Sequence, residues 1–109
     1  MGISTTTLLI IIVMLLANIV GHTGLSGQYY YYVMVFSFMA HIFVIGSLIY
    51  FRQLKNTSKK DRLLVGLVSV DFLALSFVNL PEVVIPISSV GVILSFFVLI
   101  MRWRTGELR

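Results

Sequence analysis

Four long apolar runs, divided by three short polar breaks, make up nearly the whole chain. They cover about 3–21, 29–51, 63–80 and 83–102, each close to the 17–25 residues with which an α-helix crosses a bilayer. Only helices and closed barrels satisfy their backbone hydrogen bonds in lipid, and runs this continuous read as helices. Ser4-Thr5-Thr6-Thr7 supplies cap residues at the first run. The third and fourth runs are parted only by Asn79-Leu80-Pro81-Glu82, where proline suits a stop or a first turn, so a tight helical hairpin is expected there. The pattern predicts an all-α integral membrane bundle of four transmembrane helices in a single domain, 1–109. The first run follows no positively charged segment and precedes no small-residue cleavage pattern, so it is expected to be a retained helix, not a signal peptide.

Composition agrees. Of the 109 residues 59% are hydrophobic and 11% charged, with a mean hydropathy of +1.03. A soluble domain has about 45–50% apolar and about 25% charged residues. With no cysteine there is no disulfide framework, thiolate metal site or thiol nucleophile. The net charge of +4 is not a nucleic-acid footprint, because all eight Lys and Arg fall in two places, Arg52 to Arg62 and Arg102 to Arg109. The breaks 21–28 and 79–82 carry none. Basic loops stay on the cytoplasmic side, which places this chain in the cell membrane with both termini cytoplasmic. Tyr29, Tyr30, Tyr31 and Tyr32 then fall at the outer interface, and Tyr50 and Trp103 at the inner one, where such rings act as anchors. A partner-binding surface is a second reading of the tyrosine run.

Any chemistry must sit on the few polar residues inside the runs. His41 and Asp71 lie near the middle of the second and third, at matching depth. Ionisable groups there are costly and are normally paired or functional. A proton relay is one use; an interhelical hydrogen bond is the expected one. Toward the outer face, Asn18 and His22 share a helix face, with Asn79 and Glu82 at the same level. Two imidazoles and a carboxylate suit zinc or copper, but His22 and His41 differ in depth and no HxxxH or HExxH spacing occurs, so capping and hydration are the expected uses. Ser88, Gly91 and Ser95 line one side of the fourth helix as a small-xxx-small packing face. Nothing resembles a phosphate loop, a triad or a cofactor fingerprint.

Two resemblances bear on function. The stretch Ala17-Asn18-Ile19-Val20-Gly21-His22-Thr23-Gly24, followed by Gly27-Gln28-Tyr29-Tyr30-Tyr31-Tyr32, in a chain of this length and four-helix format, resembles the small accessory X-type membrane subunit of archaeal ammonia monooxygenase. It implies a non-catalytic helper packed on copper-dependent core subunits, with no metal ligand of its own and copper only in its partners. The stretch Arg52 to Gly106 resembles the small F-type component of multisubunit sodium/proton antiporters, through an arginine ending one helix and Asp61-Arg62 opening the next. It departs from that pattern in lacking the Gly-Pro, where Asn56-Thr57 stands, in lacking the Ala-Leu-Asp, with Asp71 coming later, and in having an extra first helix.

A small multidrug exporter would need a carboxylate in the first helix, which this chain lacks, and a holin usually carries a longer basic tail than this one. The expected function is therefore that of a non-catalytic accessory subunit of a larger membrane complex, which the first resemblance implies to be a membrane oxidoreductase. Its partners would be other integral membrane subunits and the lipid bilayer, with no nucleic acid. No cofactor of its own is expected, bound lipid aside. The alternatives are an antiporter subunit or a small self-associating transporter or holin-like protein.

Overall fold

The computed structural model describes residues 3–24, 27–53 and 58–106. The middle of the basic loop, 54–57, and the end of the basic tail, 107–109, lie outside the described residues. Four helices form: α1 (Thr5–Gly24), α2 (Gly27–Tyr50), α3 (Lys59–Phe77) and α4 (Pro81–Arg104). Helices α1, α2 and α4 are long and apolar enough to cross a membrane. Helix α3 is less apolar, because it opens on Lys59-Lys60-Asp61-Arg62 and carries Asp71. The molecule measures 43 × 26 × 20 Å, and its long axis matches a bilayer of about 40–45 Å with headgroups.

Every helix boundary lies one to four residues from the sequence expectation, and both ends of α3 have a local cause. Helix α3 starts at Lys59 instead of 63, because Ser58 Oγ accepts the Asp61 N–H at 3.3 Å and Asp61 sits in the first turn. A carboxylate there complements the positive end of the helix. Reading the start from the first apolar residue overlooks a polar first turn. The same helix stops at Phe77 instead of 80. Val78 N–H and Asn79 N–H both turn back to the Ala74 carbonyl, at 2.9 and 2.6 Å, and Asn79 takes a left-handed φ of 51°. Leu80 is then extended, as a residue before proline must be, and Pro81 opens α4 as its first residue. Asparagine tolerates the left-handed region better than most side chains. Asn79→Val is therefore expected to unfold more easily than Asn79→Gly by about 1–2 kcal/mol, the left-handed penalty of a β-carbon. Equal midpoints for the two variants in a denaturant titration in detergent would show that this φ does not matter.

Helix α1 packs against α2 on one side and α4 on the other, α3 packs on α4, and α2 and α3 meet only loosely. The buried positions follow a coiled-coil spacing of three and four: 34, 37, 41, 44 and 48 on α2, 61, 64, 68, 71 and 75 on α3, and 84, 88, 91, 95 and 98 on α4. Leu8, Ile11, Met14, Leu15, Val44, Leu48, Leu64, Val68 and Val98 form the apolar core. Many outward positions are equally apolar, among them Phe36, Met39, Phe43, Leu73, Ile93 and Phe97. In water such a surface would drive aggregation; in lipid it is the solvated side.

Candidate functional site

The buried seams carry polar residues, and these converge. Asn18 from α1, Ser37 and His41 from α2, Asp71 from α3 and Ser88 from α4 are all fully buried. Asn18 Nδ2–H donates to Asp71 Oδ2 at 2.6 Å and reaches Ser88 Oγ at 3.4 Å. Ser88 Oγ–H donates to Asp71 Oδ1 at 2.9 Å. Ser37 Oγ–H donates to Asn18 Oδ1. His41 Nε2 stands 2.7 Å from Asp71 Oδ2, and its Nδ1 stands 2.7 Å from the Ser37 carbonyl. Phe72 stacks on the imidazole at 5.8 Å and Phe38 lies against Phe72, so aromatic rings cover the loose α2–α3 seam.

Hydrogen-bond logic fixes the proton count. A carbonyl only accepts, so His41 Nδ1 carries a hydrogen. The contact from Nε2 to Asp71 Oδ2 then holds one proton, on either the ring or the carboxyl. Imidazolium with carboxylate and imidazole with carboxylic acid have the same composition, and both are neutral overall. No net charge is buried, and among the described residues no buried side-chain nitrogen or oxygen lacks a partner. Such closure is what makes a polar cluster tolerable in a low-dielectric interior.

His41 and Asp71 are thus joined directly. Asn18, expected at the outer face with His22, Asn79 and Glu82, belongs instead to this central network. The physical reason is that α1 continues to Gly24, which sets Asn18 well inside the helix. Its carbonyl still accepts from His22 Nδ1 at 2.9 Å. At the end of the bundle away from the basic residues His22 Nε2 meets the Asn79 side-chain amide at 2.9 Å, Asn79 contacts Tyr30 Oη at 3.2 Å, and Tyr30 packs edge-on against the His22 ring. Tyr30 joins that cluster, while Glu82 is exposed at the start of α4. Tyr29, Tyr31 and Tyr32 point outward, as do Tyr50 and Trp103 at the opposite end. Of the small-residue face, Gly91 meets Leu15 of α1, Ser95 Oγ–H bonds back to the Gly91 carbonyl at 2.7 Å, and Ser88 serves the polar network.

A second polar contact, at the basic end, has almost no signature in the sequence. Asp61 is buried, and its Oδ2 accepts from the Ile3 N–H at 3.2 Å and from Arg102 Nη2 at 3.3 Å. Gln53 Oε1 accepts from the Ser4 N–H at 2.9 Å. These contacts bring the N-terminal segment, the end of α2, the start of α3 and the end of α4 to one end of the bundle. The sequence signal is one carboxylate inside a run of basic residues, which reads as an ordinary loop charge.

No protein-family model matches this chain, and no curated protein or solved structure is significantly similar to it.

Proposed function

We propose that this chain crosses the cell membrane four times, with both termini cytoplasmic, and serves as a non-catalytic subunit of a larger membrane complex. The observation that carries the reading is the closed network around Asp71. It takes up both ionisable groups in the middle of the helices, His41 and Asp71, and buries every member completely. A transported ion or a substrate needs an open face on its ligand, whereas these groups are saturated by one another and tie all four helices together. Helix α3 serves as the fourth span. Its 19 residues rise about 28 Å, close to the hydrocarbon thickness of about 30 Å. The gathering of Arg52, Lys59, Lys60, Arg62, Arg102 and Arg104 at the end that holds the N-terminal segment supports the inside-facing assignment. The resemblance to the X-type accessory subunit makes archaeal ammonia monooxygenase the first complex to seek.

The purified protein in liposomes is expected to move neither protons nor sodium under an imposed gradient. In native membranes solubilised in mild detergent, the chain is expected to migrate with larger membrane subunits on a native gel, which mass spectrometry then names. The one specific observation favouring a different role is the 2.7 Å contact between His41 Nε2 and Asp71 Oδ2, a distance at which a proton can pass between the two groups. Gradient-driven flux from the pure protein, abolished by His41→Gln, would establish that role and overturn the accessory reading.

A further inference from the structure

A crevice of about 650 Å³ opens between the N-terminal turns of α1 and the C-terminal turns of α2. Arg52, Arg102, Ser4 and Thr5 line it toward the basic end, and Ile10 and Phe43 line it farther along the two helices. A second crevice of about 300 Å³ shares Thr6 and Ile10 with the first and continues between the same two helices to Phe36 and Ala40. The two form one furrow with a cationic, hydroxyl-rich head and an apolar tail. From Ser47 to Phe36, α2 rises about 16 Å, half of a hydrocarbon core of about 30 Å and so one leaflet deep.

We propose that this furrow is a binding site for one anionic phospholipid, its phosphate held by Arg52 and Arg102 and one acyl chain lying between α1 and α2. Charge and length point to the same occupant. A zwitterionic headgroup brings a quaternary ammonium that the two guanidinium groups repel, whereas an anionic headgroup brings none, and a soluble phosphate would not use the apolar tail. Arg52 is exposed, takes a left-handed φ of 53°, and closes α2 as part of a turn in which Gln53 N–H reaches the Leu48 carbonyl and Arg52 N–H the Ile49 carbonyl. This is the αL position of a Schellman cap, which glycine usually fills. Arg102 also donates to Asp61, which fixes its guanidinium at the basic end of the furrow. The site rests on placement of the helices in a membrane and not on the accessory role.

The test is native mass spectrometry of the full chain purified in mild detergent and exchanged into micelles doped with phosphatidylglycerol or phosphatidylcholine. One phosphatidylglycerol per chain is expected, retained over phosphatidylcholine. Arg52→Gln is expected to reduce that retention about fivefold, the usual weight of one arginine at a lipid surface. Ser47→Trp, which adds bulk to the lining and keeps both arginines in the chain, is expected to remove the lipid while the helical circular dichroism persists. Excess inorganic phosphate is expected to leave the lipid in place, and displacement by it would assign the site to a soluble anion. Equal retention of the two lipids, or retention unchanged in both variants, would overturn the proposal. Extraction of the chain from membranes without detergent would overturn the membrane placement beneath it, a result distinct from loss of lipid selectivity.

Discussion

Asp71→Leu is expected to destabilise the folded bundle by about 2–5 kcal/mol. Asp71 receives or shares hydrogen bonds with three side chains on three other helices, Asn18, His41 and Ser88. Interhelical hydrogen bonds in membranes contribute about 0.6 kcal/mol on average and up to about 1.7 each, so three give roughly 2–5. Stripping one partner from a buried pair in soluble proteins costs about 3–5 kcal/mol, which agrees. The leucine fills the space but leaves the His41 ring and the Asn18 amide facing hydrocarbon. The double variant His41→Leu with Asp71→Leu removes both halves of the pair and is expected to be less destabilised than the sum of the two single changes. Unfolding of detergent-solubilised protein with SDS, followed by circular dichroism, measures each. A loss below about 0.5 kcal/mol for Asp71→Leu, within the spread of ordinary surface changes, would mean that the network does not hold the helices. In the complex proposed for this chain, the variant is expected to impair assembly before turnover. Full assembly with lost turnover would give Asp71 a chemical role.

Much of this architecture is legible in the apolar runs, because lipid demands a fixed length of apolar helix and the polar breaks are short. Depth is legible too: His41 and Asp71 each stand near mid-run, and they meet. The direction in which each helix faces is harder to read. In a soluble helix the apolar stripe names the buried side. Here Phe36, Phe43 and Ile93 face outward while Ser37, His41 and Ser88 face inward, so hydrophobicity does not distinguish the two. The signal that survives is the spacing of small and polar residues. Ser88, Gly91 and Ser95 show it on α4. Ser37 and His41, four apart on α2, show it as well, and that spacing is the sign by which Ser37 could have been found. Asn18 is misplaced by sequence for a different reason. The hydrophobic run fades before the helix ends, and α1 continues through Gly21, His22 and Thr23 to Gly24. Thr23 Oγ–H bonds the Ile19 carbonyl at 2.7 Å in that last turn. The tertiary contacts of Asp61 leave no local pattern because they join residues 58 and 41 positions apart.

Gly91→Leu is expected to cost about 3 kcal/mol, the upper end of overpacking penalties, and more if the helices cannot separate. A β-carbon built at Gly91 stands 2.7 Å from Leu15 Cδ1, and both residues are buried at the α1–α4 contact. One methyl group asks only that the tip of Leu15 rotate, so Gly91→Ala is expected to cost about 1 kcal/mol, the lower end of the same range. Three further carbons have nowhere to go without moving the helix axes apart. Leu15→Ala alone opens a cavity in the apolar core and is expected to cost about 2–5 kcal/mol. Combined, the two large changes return nearly the same volume to the contact with the bulky side chain on the opposite helix. The double variant is therefore expected to be more stable than the sum of the two losses would allow, a coupling that non-contacting residues do not show. The result also decides which partner this small-residue face serves. If Gly91 packs on Leu15 of its own chain, the isolated protein in detergent loses stability and Leu15→Ala restores part of it. If the face docks a different subunit, Gly91→Leu leaves the isolated chain's unfolding midpoint unchanged and instead releases it from the complex proposed for it.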